Sequence, residues 1–351
     1  MTRQPLRIAV VGATGVVGRT MIQVLTEREF PLRELRLLAS GRSAGRSVSV
    51  DGRTLDVREA TAEAFDGIDI ALFAAGASVS EELAPLAVAR GATVIDNSSA
   101  WRMAEGVPLV VSQVNPDDAA AHEGIVANPN CSTMQLAPPL MALRDAVGIE
   151  RVIVDTYQSV SGTGADALVE LEDQVRAHVA GRPKQAAVYP HPIAFNALPE
   201  IDVFLSNGYS KEEWKVVTES RKILHLPDMR ISCTAVRVPV FVSHSEAVHV
   251  EMRDPLTPEH ARELFSAVPG VVVADDPEAH VYPLATDAAG RDEIFVGRVR
   301  QDPSVPDGRG IAFWVVSDNL RKGAATNAVE IAELLAGRGW VRRASDRAGA
   351  A

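Results

Sequence analysis

The chain has 351 residues, 46% hydrophobic and 23% charged, which fits a soluble globular protein and is long enough for two domains. Its formal net charge of -11 argues against a nucleic-acid or anionic-membrane partner, both of which select clustered Lys and Arg. Cys131 and Cys233 are too few for a disulfide framework, and neither a signal peptide nor an apolar run of roughly 18 residues is present, so a reducing cytoplasm is the expected compartment.

Residues 7–11 read as a short buried strand, followed at once by Gly12-Ala13-Thr14-Gly15-Val16-Val17-Gly18 and by helical apolar spacing over 20–25. Residues 35–39, 69–74 and 93–96 read as further buried strands, with a helix over 81–90. Strands alternating with helices predict a Rossmann-type α/β fold, a doubly wound parallel sheet. After about residue 150 the texture changes. Residues 151–159, 293–300 and 310–316 alternate apolar and polar, and 232–252 read as a pair of long strands around Ser243-His244-Ser245. This predicts an α+β domain whose mostly antiparallel sheet buries one face. Helices over 166–178 and 211–224 interrupt it, 323–337 turns helical again, and the small, charged tail reads as frayed.

The three glycines between a strand and a helix suit a dinucleotide: one for the tight turn, one for close approach of backbone to pyrophosphate, one for helix–strand packing. The helix start then offers N–H groups and the positive dipole end to phosphate. The alternative is a plain strand-to-helix turn. The second strand runs into Ser40-Gly41-Arg42-Ser43 without the acid an NAD site places there, and Arg42 and Ser43 suit a 2′-phosphate, which favours NADP unless this is only a solvated basic loop.

Asn128-Pro129-Asn130-Cys131-Ser132-Thr133 forms a turn ahead of a helical run over 134–143, so Cys131 falls at a helix start. A helix N-terminus lowers a thiol pKa and supplies oxyanion donors. Cys233, inside an apolar strand, fits the inert buried thiol instead. A thiolate beside a nicotinamide points to aldehyde chemistry through a hemithioacetal and a thioester, resolved by water or phosphate with a general acid/base near the sulfur.

The Gly12–Gly18 turn, Asn130-Cys131-Ser132, Gln158-x-x-Ser161-Gly162, Glu212-x-x-Lys215 and Arg237-x6-His244 occur in this order, and over nearly the whole chain they resemble the aspartate-semialdehyde dehydrogenases, in the bacterial form with the GATG turn. That family interconverts L-aspartate 4-semialdehyde, phosphate and NADP with aspartyl 4-phosphate and NADPH, on the route to lysine, threonine and methionine. The resemblance implies Cys131 as nucleophile, His244 as acid/base and Gln158 as the residue orienting substrate at the sulfur. It implies Arg237 for the substrate carboxylate, Glu212 for its ammonium, and Arg102, Lys215 and Asn130 for phosphate. For the cofactor it implies Gly12, Thr14, Gly15, Val16 and Val17, Ser161 and Gly162 of a second small-residue turn, and Asn319. Thr163 departs mildly from the alanine of many relatives. No metal is implied. It further implies a nucleotide domain over 1–133 completed by a helix at about 320–340, a catalytic and dimerisation domain over 134–319, a frayed tail over 341–351, and a homodimer or homotetramer with strand 293–300 exposed for contact.

The residues alone leave plainer readings open. Ser210 and Glu213 form a capping box, and Glu212 with Lys215 is otherwise a surface ion pair. Arg102 is otherwise a surface arginine, His244 a turn residue and Asn319 a helix cap. Arg237, on an apolar strand, must be paired or functional, and its fork suits a carboxylate. The rival enzyme is N-acetyl-glutamyl-phosphate reductase, whose blocked amine gives Glu212 no partner and whose motif usually has glycine at the place of Asn130. The rival class is a non-catalytic relative, which would be expected to lose the nucleophile.

Overall fold

The structure, a computed structural model, describes residues 4–342. The chain runs β1 (Leu6–Val11), α1 (Val16–Glu27), β2 (Leu32–Ala39), β3 (Ser47–Val50), β4 (Arg53–Glu59), β5 (Ile70–Phe73), α2 (Ala77–Ala89), β6 (Thr93–Asp96) and β7 (Ile125–Ala127). It continues with α3 (Cys131–Val147), β8 (Ile149–Gln158), α4 (Ala165–Val179), α5 (Lys211–Ile223), β9 (Arg230–Arg237), β10 (His244–Met252), α6 (Pro258–Ser266), β11 (Val271–Val273), α7 (Ala285–Ala288), β12 (Ile294–Gln301), β13 (Gly310–Ser317) and α8 (Asn327–Arg338). It divides into two compact units, one ending at Asn130 and resuming at Ala324, the other spanning Cys131–Gly323.

The first unit is built on a sheet of order β3-β4-β2-β1-β5-β6-β7, parallel except for the β3–β4 hairpin at its edge, which the sequence reading passed over. Its central strands are continuous apolar runs because both faces are covered: Ile8 and Val10 pack into one core, Ala9 and Val11 into another. The first core also takes Ala328, Val329, Ile331, Ala332 and Leu335 of α8, so the end of the chain completes the unit in which it began.

The second unit carries a sheet of order β11-β12-β13-β10-β8-β9. It is antiparallel at its centre, where β10 pairs with β13 and β8 and β12 with β13, but parallel at both edges, in β8–β9 and β11–β12. Two expectations need correcting here. The two strands read over 232–252 are present, but the turn between them comes before His244, not around it: Pro239 breaks the run, Ser243 turns the chain at φ 78°, and both strands flank β8. His244 is therefore the first residue of a central strand, not a turn residue. Nor is 293–300 exposed along its length: β12 lies between β11 and β13, and Ile294–Gly297 are all buried.

Even-numbered residues of β10, from His244 to Met252, face the buried side, and α3 and α5 pack on that side of the unit. Before α8 the chain passes through a π-helical turn, Arg321–Thr326, where continuous α-helix was expected. Among the described residues no helix is long and apolar enough to cross a membrane.

Candidate active site

In the first unit the glycine turn is pinned by the amides of Gly12 and Ala13, which both donate to the Leu38 carbonyl, at 2.8 and 3.1 Å. Gly12 has φ +83°, and a Cβ there would come within 2.9 Å of the Ala74 carbonyl oxygen. A Cβ on Gly18 would run into the Gly12 carbonyl. The backbone is thus as close to its neighbours as hydrogen permits, and the cradle above it is one a side chain would fill. Gly15 caps α1 without a side-chain bond, and no acid sits in the first turn, so the helix presents its amides and positive end at Thr14, Val16 and Val17. These residues fit a dinucleotide pyrophosphate. Past β2, Arg42 is exposed and Ser43 half-buried, with the Glu59 carboxylate from β4 reaching the same loop at Gly41.

Arg102 is not a surface arginine. It is buried, and its guanidinium donates from Nε to the Asn128 carbonyl and from Nη2 to the Asn97 carbonyl, each at 2.9 Å. Asn97 and Asn128 follow β6 and β7, so Arg102 is held at the carboxyl ends of parallel strands, the edge where ligands gather in such sheets. Asn130 is buried two residues beyond Asn128.

In the second unit the remaining residues form one network. Cys131 opens α3 and is half-buried. Beside it, Ser132 Oγ accepts from the Gln158 amide at 2.9 Å, and the same amide reaches Glu212 at 3.3 Å. Glu212 is buried and accepts from Lys215 at 3.1 Å, while Lys215 also donates to Asp202 at 2.9 Å. Burial works against the Lys215 charge, but Glu212 and Asp202 outweigh it and its pKa is raised. The ion pair read from the spacing exists, but it lies in the site rather than on the surface. Ser210 and Glu213 make the expected capping box.

Gln158 pairs with Arg237 across β8 and β9. The Arg237 Nη1 donates to the Ser159 carbonyl at 2.6 Å, and its buried Nε has no hydrogen-bond partner among the described residues. The Ser159 amide donates to His244 Nδ1 at 3.0 Å. A ring nitrogen that accepts carries a lone pair, so the neutral ring must hold its proton on Nε2. Burial, reinforced by the Arg237 charge and opposed by Glu212, holds the imidazole down to about 3. Nε2 is buried and unpartnered among the described residues. A Cβ added to Gly162 would stand 3.2 Å from Arg237 Nη1 and 3.3 Å from His244 Nε2, so that glycine keeps open the space beside both groups.

Asn319 accepts at Oδ1 from the hydroxyls of Ser159 and Ser161 and from the Ser243 amide. It ties together the loops around His244 and is not the helix cap. That role belongs to Asp318, whose Oδ1 accepts from the amides of Leu320 and Arg321 at 2.8 and 3.0 Å. An Asp ahead of a helical run is a cap signal, so Asp318 was legible in principle. Asp202 and the Ser159 amide carry no such signal.

Such a constellation can attack a carbonyl from Cys131, donate a proton to the developing oxyanion from His244 Nε2, and hold a carboxylate on the unpaired Nε edge of Arg237.

Two family models match the chain: the semialdehyde dehydrogenase NAD binding domain over residues 7–122, and the semialdehyde dehydrogenase dimerisation domain over residues 140–322. Aspartate-semialdehyde dehydrogenase of Aquifex aeolicus is 52% identical over 340 residues, covering 95% of this chain and 99% of the relative. That of Bacillus subtilis is 49% identical over 338 residues, covering 94% and 97%. Among solved structures, aspartate semialdehyde dehydrogenase II of Vibrio cholerae complexed with ASA matches with a TM-score of 0.90 at 47% identity, over 95% of this chain and 98% of that one.

Proposed function

This chain belongs to the aspartate-semialdehyde dehydrogenases, and from that premise we propose how its residues carry out the reaction. The protein reduces L-aspartyl 4-phosphate to L-aspartate 4-semialdehyde with NADPH, releasing phosphate, and runs the phosphorylating oxidation in reverse. Residues up to Asn130 with the returning α8 hold the nucleotide; the unit from Cys131 to Gly323 is catalytic and dimerising.

The Cys131 sulfur attacks the acyl carbon, phosphate departs, and Cys131 holds the aspartyl group as a thioester. NADPH, when bound on the Gly12–Gly18 turn, supplies the hydride. His244 lends its Nε2 proton to the oxygen of the tetrahedral adduct; collapse of that adduct returns the proton, frees the aldehyde and regenerates the thiolate. Gln158 orients the acyl group at the sulfur. Arg237 takes the α-carboxylate on the edge its Nε leaves unpaired, and Glu212 takes the ammonium. Arg102, Asn130 and Lys215 are the phosphate ligands. Ser161, Gly162 and Asn319 line the nicotinamide half, and Arg42 with Ser43 reads the 2′-phosphate. Both coenzyme choice and these roles rest on the sequence and the local geometry.

The observation that carries this reading is the His244–Arg237 pair: a buried neutral imidazole with a fixed tautomer, beside a guanidinium with an orphaned Nε, both flanking the space Gly162 leaves. The test is NADPH formation from NADP and L-aspartate 4-semialdehyde, with and without phosphate. Phosphate-dependent turnover supports the reading. Silence with this aldehyde, combined with turnover of the N-acetylated glutamate analogue, would move the assignment to the rival reductase.

The chain functions as a homodimer or a dimer of dimers in the cytoplasm. Tyr157 on β8 and Trp314 on β13 lie on the sheet's outer face with ring centroids 5.4 Å apart, and Tyr157 is 39% exposed, which suits a face covered by a second copy. Light scattering distinguishes dimer from tetramer.

A further inference from the structure

Glu246 lies two residues past His244 on the same face of β10, wholly buried. Across the sheet it faces Thr156 on β8 and Val315 on β13. Neither carboxylate oxygen has a hydrogen-bond partner among the described residues, and neither does the buried Nε2 of Gln135, the polar group that bears on it from α3. The other titratable groups on this side of the unit include His244, held neutral, Arg237 and the buried Cys233 thiol on β9, and the buried Glu212 and Glu219 on α5; burial first, then Glu246, Glu213, Glu212 and Asp155, raise the Cys233 thiol. Burial without a cation pushes the Glu246 carboxyl well above its usual range.

Gln135 stands one turn after Cys131 on α3, and its Oε1 accepts from Ser317 Oγ at 2.6 Å. Ser317 is the β13 residue paired with His244. The start of α3 needs such ties. Pro138 and Pro139 lie inside the helix and have no amide to give the carbonyls of Met134 and Gln135, so the backbone ladder is interrupted just past the nucleophile's turn.

We propose that Glu246, carried as the neutral acid, is a positioning residue that works through Gln135 and Ser317 to fix the nucleophile's helix against the strand that carries His244. A neutral acid can both donate to and accept from the Gln135 amide, which an ionised carboxylate at that depth could not do without a counter-charge. The inference rests on the thioester reading for its effect on rate, but not for the protonation state of Glu246.

The test compares wild type with Glu246→Gln and Glu246→Leu in kcat, KM, the pH profile of iodoacetamide alkylation at Cys131, and urea unfolding from about pH 5 to about pH 9. A group protonated in the fold and ionised in the unfolded chain makes stability fall as pH rises above 4.5, by about tenfold per pH unit in the unfolding constant. Glu246→Gln is expected to lose that slope and keep kcat within about twofold, since an amide, like a neutral acid, can both donate to and accept from Gln135. Glu246→Leu is expected to lower kcat about tenfold or more, with little change in KM, and to shift the alkylation profile. A wild-type slope in Glu246→Gln would mean an ionised carboxylate and overturn the proposal. So would wild-type kcat and alkylation in Glu246→Leu or, should that variant fail to fold, in Gln135→Met. If wild type turns over no aspartate semialdehyde, the functional reading fails while unfolding and alkylation still judge Glu246.

Discussion

The backbone amide of Ser159 donates to Nδ1 of His244 over 3.0 Å, and this bond puts the ring's proton on the buried nitrogen that lies beside Gly162. A bond from the main chain cannot be removed by changing the Ser159 side chain, so the tautomer is set by the fold.

His244→Asn keeps an acceptor for the Ser159 amide but has no Nε2–H, so kcat is expected to fall about 10²- to 10⁴-fold with the fold intact. The depressed pKa also has a stability signature. Below 6.5 the unfolded chain takes up a proton that the native ring refuses until about 3, so stability is full above 6.5 and falls by about 1.4 kcal/mol per pH unit through that window. Urea unfolding of wild type against His244→Asn isolates this slope; equal slopes would mean the ring is not held neutral.

Cys131 and Cys233 are predicted to differ sharply in reactivity. Burial, with surrounding carboxylates, raises the Cys233 thiol well above its usual range, whereas Cys131 opens a helix and is half-buried. Cys131→Ala should abolish turnover and all fast iodoacetamide labelling while leaving circular dichroism unchanged. Retained activity would remove the thioester from the mechanism.

Gly323, in the π-helical turn, packs its Cα on the nucleophile: a Cβ there would lie 2.9 Å from Cys131 Cβ and 3.3 Å from its Cα. Gly323→Ala must therefore displace Cys131 or the turn, at a cost of about 1–3 kcal/mol. We expect kcat to drop at least tenfold, since a small misplacement of a reacting atom is costly. Wild-type kcat would mean the contact relaxes freely.

Arg237→Lys replaces a fork by a point charge. The lysine can satisfy the Ser159 carbonyl or the substrate carboxylate, not both in the present geometry. KM for aspartate semialdehyde should rise about tenfold or more, with KM for NADP unchanged. An equal rise in both would move Arg237 out of substrate recognition.

Arg42→Ala should narrow the ratio of kcat/KM for NADP over NAD. Arg42 is exposed at the end of β2 with no acid beside it in its own loop, although Glu59 reaches the neighbouring Gly41. An unchanged ratio would assign the 2′-phosphate to another residue.

The nucleotide unit was legible because its signals are local. A buried parallel strand is a continuous apolar run, and a turn that must approach a phosphate needs glycine at set spacings, as in β1 and Gly12–Gly18. Cys131 at a helix start, the Ser210–Glu213 box and the Glu212–Lys215 spacing were local in the same sense. The pairing of β9 and β10 was not. An alternating run states that a strand has a buried face but not which strand lies beside it, and both strands turned out to flank β8.

Which residues bring chemistry can be read along the chain: a thiol at a helix start, an imidazole, an arginine on an apolar strand and a glycine turn for phosphate, since side-chain type and short spacings are local properties. The state of those groups depends on the folded chain. The proton on His244 follows from an amide 85 positions away, the burial of Glu246 from strands and a helix distant in sequence, and the closeness of Gly323 to Cys131 from a π-helical turn. Protonation and position depend on desolvation and on contacts between distant segments, which no local pattern encodes.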